Sequence, residues 1–294
     1  MFSSRSGALT APLLPWDNRW GNERPPGRLI ATVVFAGVIA ILAIPYSINA
    51  ASNGNAARTV LGVAIALVGV TFALALVPNL RVRRRTLPRD ISPSYSGGDT
   101  VGLRIPFRSS WALAVVLWLA AAVVFLVIRA YLFFSHLSAD HDSGRSAIDA
   151  GGIVVVVVAV AIAALMIRYL LTGKNRRGRV DLNEEGISLA LGSSVRSISW
   201  SDVGDISPAV ANNSLVIRVR PRSGNKIRVE VGRSLLDRMQ RGYYEQNMDL
   251  HASVLDVDPA LLLHMVQFYQ QHPEARNELT TDAVIDRIQK GELI

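Results

Sequence analysis

The chain contains no cysteine. Disulfides, zinc–thiolate centres, iron–sulfur clusters and a cysteine nucleophile are therefore excluded. Charge is sparse: Asp, Glu, Lys and Arg make up 18% of the 294 residues, against about a quarter in an ordinary globular chain. Lysine is nearly absent, with Arg outnumbering it 28 to 3, a bias of genome composition rather than of mechanism. The apolar residues, half of the total, are not spread at short periods as in a globular chain. They are gathered in blocks before residue 173, and the mean hydropathy is +0.29.

A net charge of +8 invites a nucleic-acid reading, but the charge is divided. Residues 1–179 carry 19 cations against 7 acids, a balance of +12, whereas residues 180–294 carry 12 against 16, a balance of −4. The excess belongs to the apolar half, where basic loops set membrane topology. Nucleic acid is not expected as a partner.

A hydrocarbon core about 30 Å thick needs roughly 20 apolar helical residues. Four blocks meet this: Leu29–Ile48, Thr59–Val77, Trp111–Phe134 and Gly152–Leu171. The β-branched run Ile153–Val158 resembles a strand, but the block continues to Ile167, too long for one. The first block is too long for a signal-peptide core and lacks a small-residue cleavage site. The expected fold class is a membrane α-helical bundle of four transmembrane helices within residues 28–173. An N-terminal tail (1–27) precedes it, and a mostly β domain (179–294) follows.

The loops give a direction. Arg5, Arg19, Arg24 and Arg28 lie in the tail, and Arg81, Arg83, Arg84, Arg85, Arg89, Arg104 and Arg108 between blocks two and three. Lys174, Arg176, Arg177 and Arg179 follow block four, whereas the segments 49–58 and 137–149 hold one cation each. Every basic segment falls on one side if all four blocks cross. The positive-inside rule then predicts a multi-pass protein of the plasma membrane with both termini cytoplasmic.

Within the spans, Arg129 and Arg168 each sit about one turn from an end, where they either snorkel to the interface or mark a functional site. The spans contain no Asp, Glu or His for a proton relay and no paired broken helices, which weakens a transporter or channel reading. His136, Asp140, His141 and Asp142 have metal-ligand chemistry but lie on one polar loop without a second cluster. Asp90–Ser110 reads as an irregular connector with an amphipathic end. The Arg81–Arg89 cluster before it is either a topology signal or a site for anionic headgroups at the inner leaflet.

Beyond Arg179 the pattern changes to alternation. Strands are expected at Val180–Leu182, Ile187–Leu191, Val195–Trp200, Asp202–Ile206 and Leu215–Arg220, with a turn at Arg222–Asn225 joining the last to Lys226–Val231. Ser234 with Asp237 resembles a capping box for a helix through about Arg241. A seventh strand is expected near Ala252–Leu255. Asp258–Pro259 then opens a helix with Leu261, Leu262, Met265, Phe268 and Tyr269 on one face, ended by Pro273. A final helix, Thr281–Lys290, presents Val284, Ile285 and Ile288. Trp200 reads as a core or rim packing residue, and His264, within the helix pattern, as a surface or core histidine.

About seven strands followed by an amphipathic helix is the plan of a pleckstrin-homology-like (PH-like) domain. Residues 179–290 resemble the PH-like domains of actinobacterial membrane proteins. The resemblance is carried by Glu185-Gly186-Ile187, by Ile198–Val203, by the pair of strands around Gly224, by Val257–Leu261 and by His272–Leu279. It implies a module that binds peptides or surfaces on its edges. In eukaryotic relatives lipid binding usually uses the first hairpin. Here that hairpin carries Glu184 and Glu185, which does not favour phosphoinositides in that manner. The stretch Asp237–Met248 is longer than the resemblance implies.

Arg218, Arg220, Arg222, Lys226 and Arg228 share one outward ribbon if that hairpin pairs regularly. The ribbon is either a docking patch for an acidic protein surface or anionic headgroups, or a solvated face balanced by Glu230. There is no Ser-His-Asp arrangement, phosphate-binding glycine loop or metal-ligand spacing, so neither an enzyme nor a cofactor is expected. The sequence favours a non-enzymatic scaffold or accessory subunit of a membrane complex, with its protein partner in or on the membrane. An anionic-lipid sensor comes second and a small transporter or channel third.

Overall fold

The computed structural model describes residues 10–88, 91–94, 102–107, 109–137, 156–168, 178–191, 194–211, 214–230, 241–255 and 257–294. The chain divides into two compact units. One joins Pro25–Leu80 to Ser109–Gly173, and the other joins three separate segments, Met1–Arg24, Arg81–Arg108 and Lys174–Ile294.

In the apolar unit, α1 (Gly27–Ser52), α2 (Ala56–Leu76) and α3 (Ser109–Leu137) are long helices. All three are apolar and long enough to cross a membrane. Residues Val156–Arg168 form a shorter apolar helix, α4. The rest of the block expected at 152–171 lies outside the described residues, as do Asp140, His141 and Asp142.

Lipid supplies no hydrophobic drive between helices, so close contact needs small side chains. On α1 the buried residues are Ala36, Ala40, Ala43, Ser47 and Ala50, spaced four and three apart along one stripe. They meet Gly62 and Gly69 of α2. A Cβ on Gly69 would lie 2.8 Å from the Ala36 carbonyl oxygen, and one on Gly62 would overlap the Ser47 hydroxyl. That hydroxyl donates back to the Ala43 carbonyl at 2.8 Å, and Thr71 donates to Leu67 at 2.7 Å. Both satisfy their donors inside the helix, as hydrocarbon requires. Outward, Phe35, Ile41, Leu42 and Tyr131 are each more than 60% exposed, an apolar surface compatible with helices that cross a membrane.

The second unit is built on two antiparallel sheets. Its strands are β1 (Ser92–Ser94), β2 (Gly102–Pro106), β3 (Arg179–Asn183), β4 (Gly186–Leu191), β5 (Ser194–Ser199), β6 (Val203–Ala211), β7 (Ser214–Pro221), β8 (Arg228–Glu230) and β9 (Met248–His251). Six form one sheet in the order β1-β2-β3-β4-β5-β8, and three form the other as β6-β7-β9. Alternation works as expected: Val180, Leu182, Ile187, Leu189, Ile198, Ile217 and Val219 all point into the core. The Asn183 side chain accepts from the backbone N–H groups of Glu185 and Gly186, closing the first turn.

Three expectations are corrected. The connector at 90–110 contains β1 and β2, and β2 pairs in register with β3, placing Leu103 opposite Leu182 and Ile105 opposite Val180. Among the described residues, 215–230 do not form the hairpin expected at 215–231. After the turn at Gly224 (φ +89°) the chain leaves β7 for the other sheet, where β8 pairs with β5, while β9 takes the place beside β7. The seventh strand is Met248–His251, and Ala252–Leu255 is instead a helical turn, α6, following α5 (Arg241–Gln246). The helix expected from Ser234 falls mostly in 231–240, outside the described residues.

Helix α7 (Pro259–Gln271) seals the core. Asp258 caps it, accepting from Ala260 N–H at 3.0 Å and Leu261 N–H at 3.2 Å, and Pro259 occupies the first position, where no donor is lost. Leu261, Leu262, Met265 and Tyr269 are buried beneath it, joined by Val284, Ile285 and Ile288 of α8 (Ala283–Lys290). The same core takes in Ala11, Leu14 and Trp20 from the tail, and Leu87, Ile91, Leu103 and Ile105 from the connector.

Candidate interaction surfaces

Arg218 and Arg220 alternate outward from β7, as expected. The Arg218 guanidinium, however, is clamped on Asp249 of β9 through two bonds of 2.7 and 2.8 Å. Tyr243 of α5 closes the group, donating to Asp249 at 2.8 Å and accepting from Arg218 at 3.2 Å. Burial pushes the Asp249 carboxyl up, but the bonds from Arg218 and Tyr243 outweigh it, so the carboxyl ionises below its usual range. Burial, with the bond to Asp249, pushes the Tyr243 phenol up. Burial depresses the neighbouring His251, with Arg196 adding to the effect and Asp249 opposing it. Arg196, which alternates inward from β5, lies with its guanidinium 3.3 Å from the ring centre of Tyr244, a cation–π contact.

Lys226 donates to Glu245 at 3.1 Å, and Arg241 shares the same carboxylate at 2.8 Å. Arg220, Arg222 and Arg228 are exposed and have no ion pair among the described residues. Arg228 lies on β8 in register with Ser197, on the six-stranded sheet, whereas Arg220 lies on β7 opposite Asp205, on the other. Arg218 and Arg220 thus lie on one sheet and Arg228 on the other, with Arg222 and Lys226 in the connection between them. Two are internally compensated, leaving Arg220, Arg222 and Arg228 as the outward charge.

A second constellation was read in the sequence only as a basic cluster and a helix cap. Arg83 turns into the domain: its side chain is 14% exposed and bonds Asp258 at 2.9 Å, Glu23 at 3.0 Å and the Leu14 carbonyl at 2.7 Å. The Arg84 backbone N–H reaches the same Asp258 oxygen at 3.0 Å. One buried carboxylate therefore ties the connector to the start of α7, and Arg83 ties in the tail. Farther along the connector, Arg104 bonds Asp181 at 2.8 Å, opposite Arg179 at 2.7 Å. Alternating cations and a capping Asp were visible signals, but their pairing across about 175 positions was not.

The tail lies over β6 and β7. The Trp20 indole N–H points at the carbonyl oxygens of Ala209 and Val216, 3.1 Å from each. The His264 ring nitrogen Nε2 lies 3.1 Å from the Pro15 carbonyl. Trp200, 4% exposed, donates to the Asn183 carbonyl at 2.8 Å. No protein family, curated protein or solved structure matches this chain.

Proposed function

We propose that this chain is a non-enzymatic integral membrane protein with four spans and both termini in the cytoplasm, whose PH-like domain engages a protein partner at the inner leaflet. The observation that carries this reading is the composite domain. Its three segments are separated by Pro25–Leu80 and by Ser109–Gly173. Segments that share one fold must lie on one side of a bilayer, so each intervening stretch must cross an even number of times. Two helices, α1 and α2, do so in the first. In the second, α3 needs one returning span, and the block containing α4 supplies it. The basic loops favour the cytoplasmic side. Seven strands, β3 to β9, followed by α7 support the PH-like plan, and its place beside the membrane favours a scaffold or accessory role.

The absence of cysteine makes topology simple to test. Single cysteines at Asn53, Ser143 and Ser201 are probed with a membrane-impermeant maleimide on intact cells. Asn53→Cys and Ser143→Cys are expected to label from outside, and Ser201→Cys only after permeabilisation. Protection of Ser143→Cys with labelling of Asn53→Cys would overturn the four-span arrangement. For the partner, affinity purification from native membranes in mild detergent is expected to bring down a stoichiometric protein. A chain that purifies alone counts against the scaffold role.

The exposed Arg220, Arg222 and Arg228 favour a second reading, recognition of anionic headgroups. On that reading, moving the full chain from zwitterionic to anionic nanodiscs raises the unfolding temperature of the domain. The rise disappears in high salt and in the triple Arg→Ala variant. An equal unfolding temperature in both lipids removes it.

A further inference from the structure

The segment from Thr10 to Arg24 is held in the manner of a bound peptide. It adds no strand to either sheet and makes a single bridge, Thr10 to Thr86. Its anchor is Trp20, 5% exposed, whose N–H reads the backbone of two adjacent strands at Ala209 and Val216. Trp16 packs on Trp20 with ring centres 5.0 Å apart, and the Arg83 guanidinium lies 5.2 Å from the Trp16 ring. The segment also fixes its own shape. Asp17 caps the 3₁₀ turn Asn18–Trp20, and the Trp16 indole donates to the Gly21 carbonyl at 2.7 Å, with Gly21 at φ +76°. Ala11 and Leu14 are buried beside it, and one side-chain tie joins Glu23 to Arg83 at 3.0 Å. The remaining bonds run to backbone groups that any peptide of this shape supplies: Ala11 N–H to the Arg85 carbonyl, and the carbonyls of Leu14 and Pro15 to Arg83 and His264.

A self-structured segment with one deeply buried aromatic anchor, two smaller buried side chains, one ion pair and otherwise backbone-directed bonds is a ligand that a second segment of the same pattern can replace. We propose that residues 10–24 are an intramolecular ligand. The face made by β6, β7 and Arg83 is a docking site for a segment bearing two tryptophans four positions apart, and the chain's own tail fills it in cis. The proposal rests on the interaction reading and deepens it by naming the face and making release of the strap the controlling step. Tethering holds the strap at an effective concentration on the order of millimolar, so a strap of roughly micromolar intrinsic affinity weakens a competitor about 1,000-fold while it stays tethered.

The test uses the full chain in nanodiscs, with a specific protease site inserted between Arg24 and Pro25, and a fluorescent peptide of residues 10–24. Before cleavage the peptide is expected to bind weakly. After cleavage it should exchange for the severed strap and bind at least about 100-fold more tightly, while a peptide carrying Trp20→Ala does not. Equal binding before and after cleavage overturns the inference. So does a severed strap that never exchanges, or loss of the folded domain on cleavage, each of which makes the tail a fixed part of the fold. Co-purification of a partner that excess peptide fails to displace removes this inference and leaves the interaction reading intact. Peptide exchange without any co-purifying partner does the reverse.

Discussion

Asp258 uses two oxygens for three tasks. One accepts the first N–H groups of α7, and the other holds the Arg83 guanidinium and the Arg84 backbone. Removing it uncaps the helix and takes from a largely buried guanidinium its buried carboxylate, leaving Glu23, the Leu14 carbonyl and the Trp16 ring. Asp258→Ala is expected to destabilise the domain by about 3–5 kcal/mol. Asp258→Asn, which keeps a capping oxygen, should lose less, and denaturant unfolding followed by tryptophan emission measures both. Two further carboxylates make stability depend on acid. Asp249 is held low by Arg218 and Tyr243 against the pull of burial, and Glu278 by its bonds from Arg287. Each folded-state value lies below the unfolded one, so their stabilisation is complete above about pH 4.5 and is lost as pH falls through the folded-state values. His251 is depressed by burial. The unfolded imidazole therefore takes a proton first, and stability begins to fall already below about pH 6.5. Urea midpoints measured against pH should show both stages, and His251→Asn should remove the upper one.

The α1–α2 contact depends on what glycine leaves out. Gly62→Leu would force a side chain into Ser47, and Gly69→Leu one into the Ala36 backbone. Each is expected to weaken the helix pair by about 1–3 kcal/mol, read by reversible unfolding in mixed micelles, while Leu74→Ala on the outward face should change little. The strands divide by how local their cause is. Those at β3, β4, β5 and β7 were legible because each alternates over several residues and each turn carries Gly, Asn or Ser nearby. β2 was not: Gly102-Leu103-Arg104-Ile105-Pro106 shows two apolar positions and ends in proline. What makes it a strand is β3, 77 positions away from Arg104 at Asp181. β9 was hidden by Asp249, which looks like a surface residue until Arg218 is opposite it. The turn at Gly224 was read correctly as a turn and wrongly as a hairpin, because a positive φ says that the chain bends and not which sheet it joins. The cations of the candidate surface were legible as outward-facing. Their neutralisation by Asp249 and Glu245 was not, since neither acid is a neighbour in sequence.

The β-rich unit is assembled from three pieces of chain, where the sequence pattern marked out a domain only at 179–294. Without β2 the edge of β3 is bare, and without the tail the carbonyls of Ala209 and Val216 lose Trp20. A fragment of residues 178–294 is expected to aggregate. A soluble chain linking residues 10–24, 81–108 and 178–294 through flexible linkers should be monomeric and unfold cooperatively, as size-exclusion chromatography and thermal circular dichroism would show. The same division sets a timetable at the ribosome. Trp20 is made 189 residues before the Ala209 it binds, an interval of about 10–40 s at ordinary rates of synthesis. Through that interval Trp16 and Trp20 wait in the newborn chain without the strands they pack on. The nascent protein therefore presents a long-lived target for chaperones, and slowing translation should lower its yield more than that of a protein whose domains close in chain order.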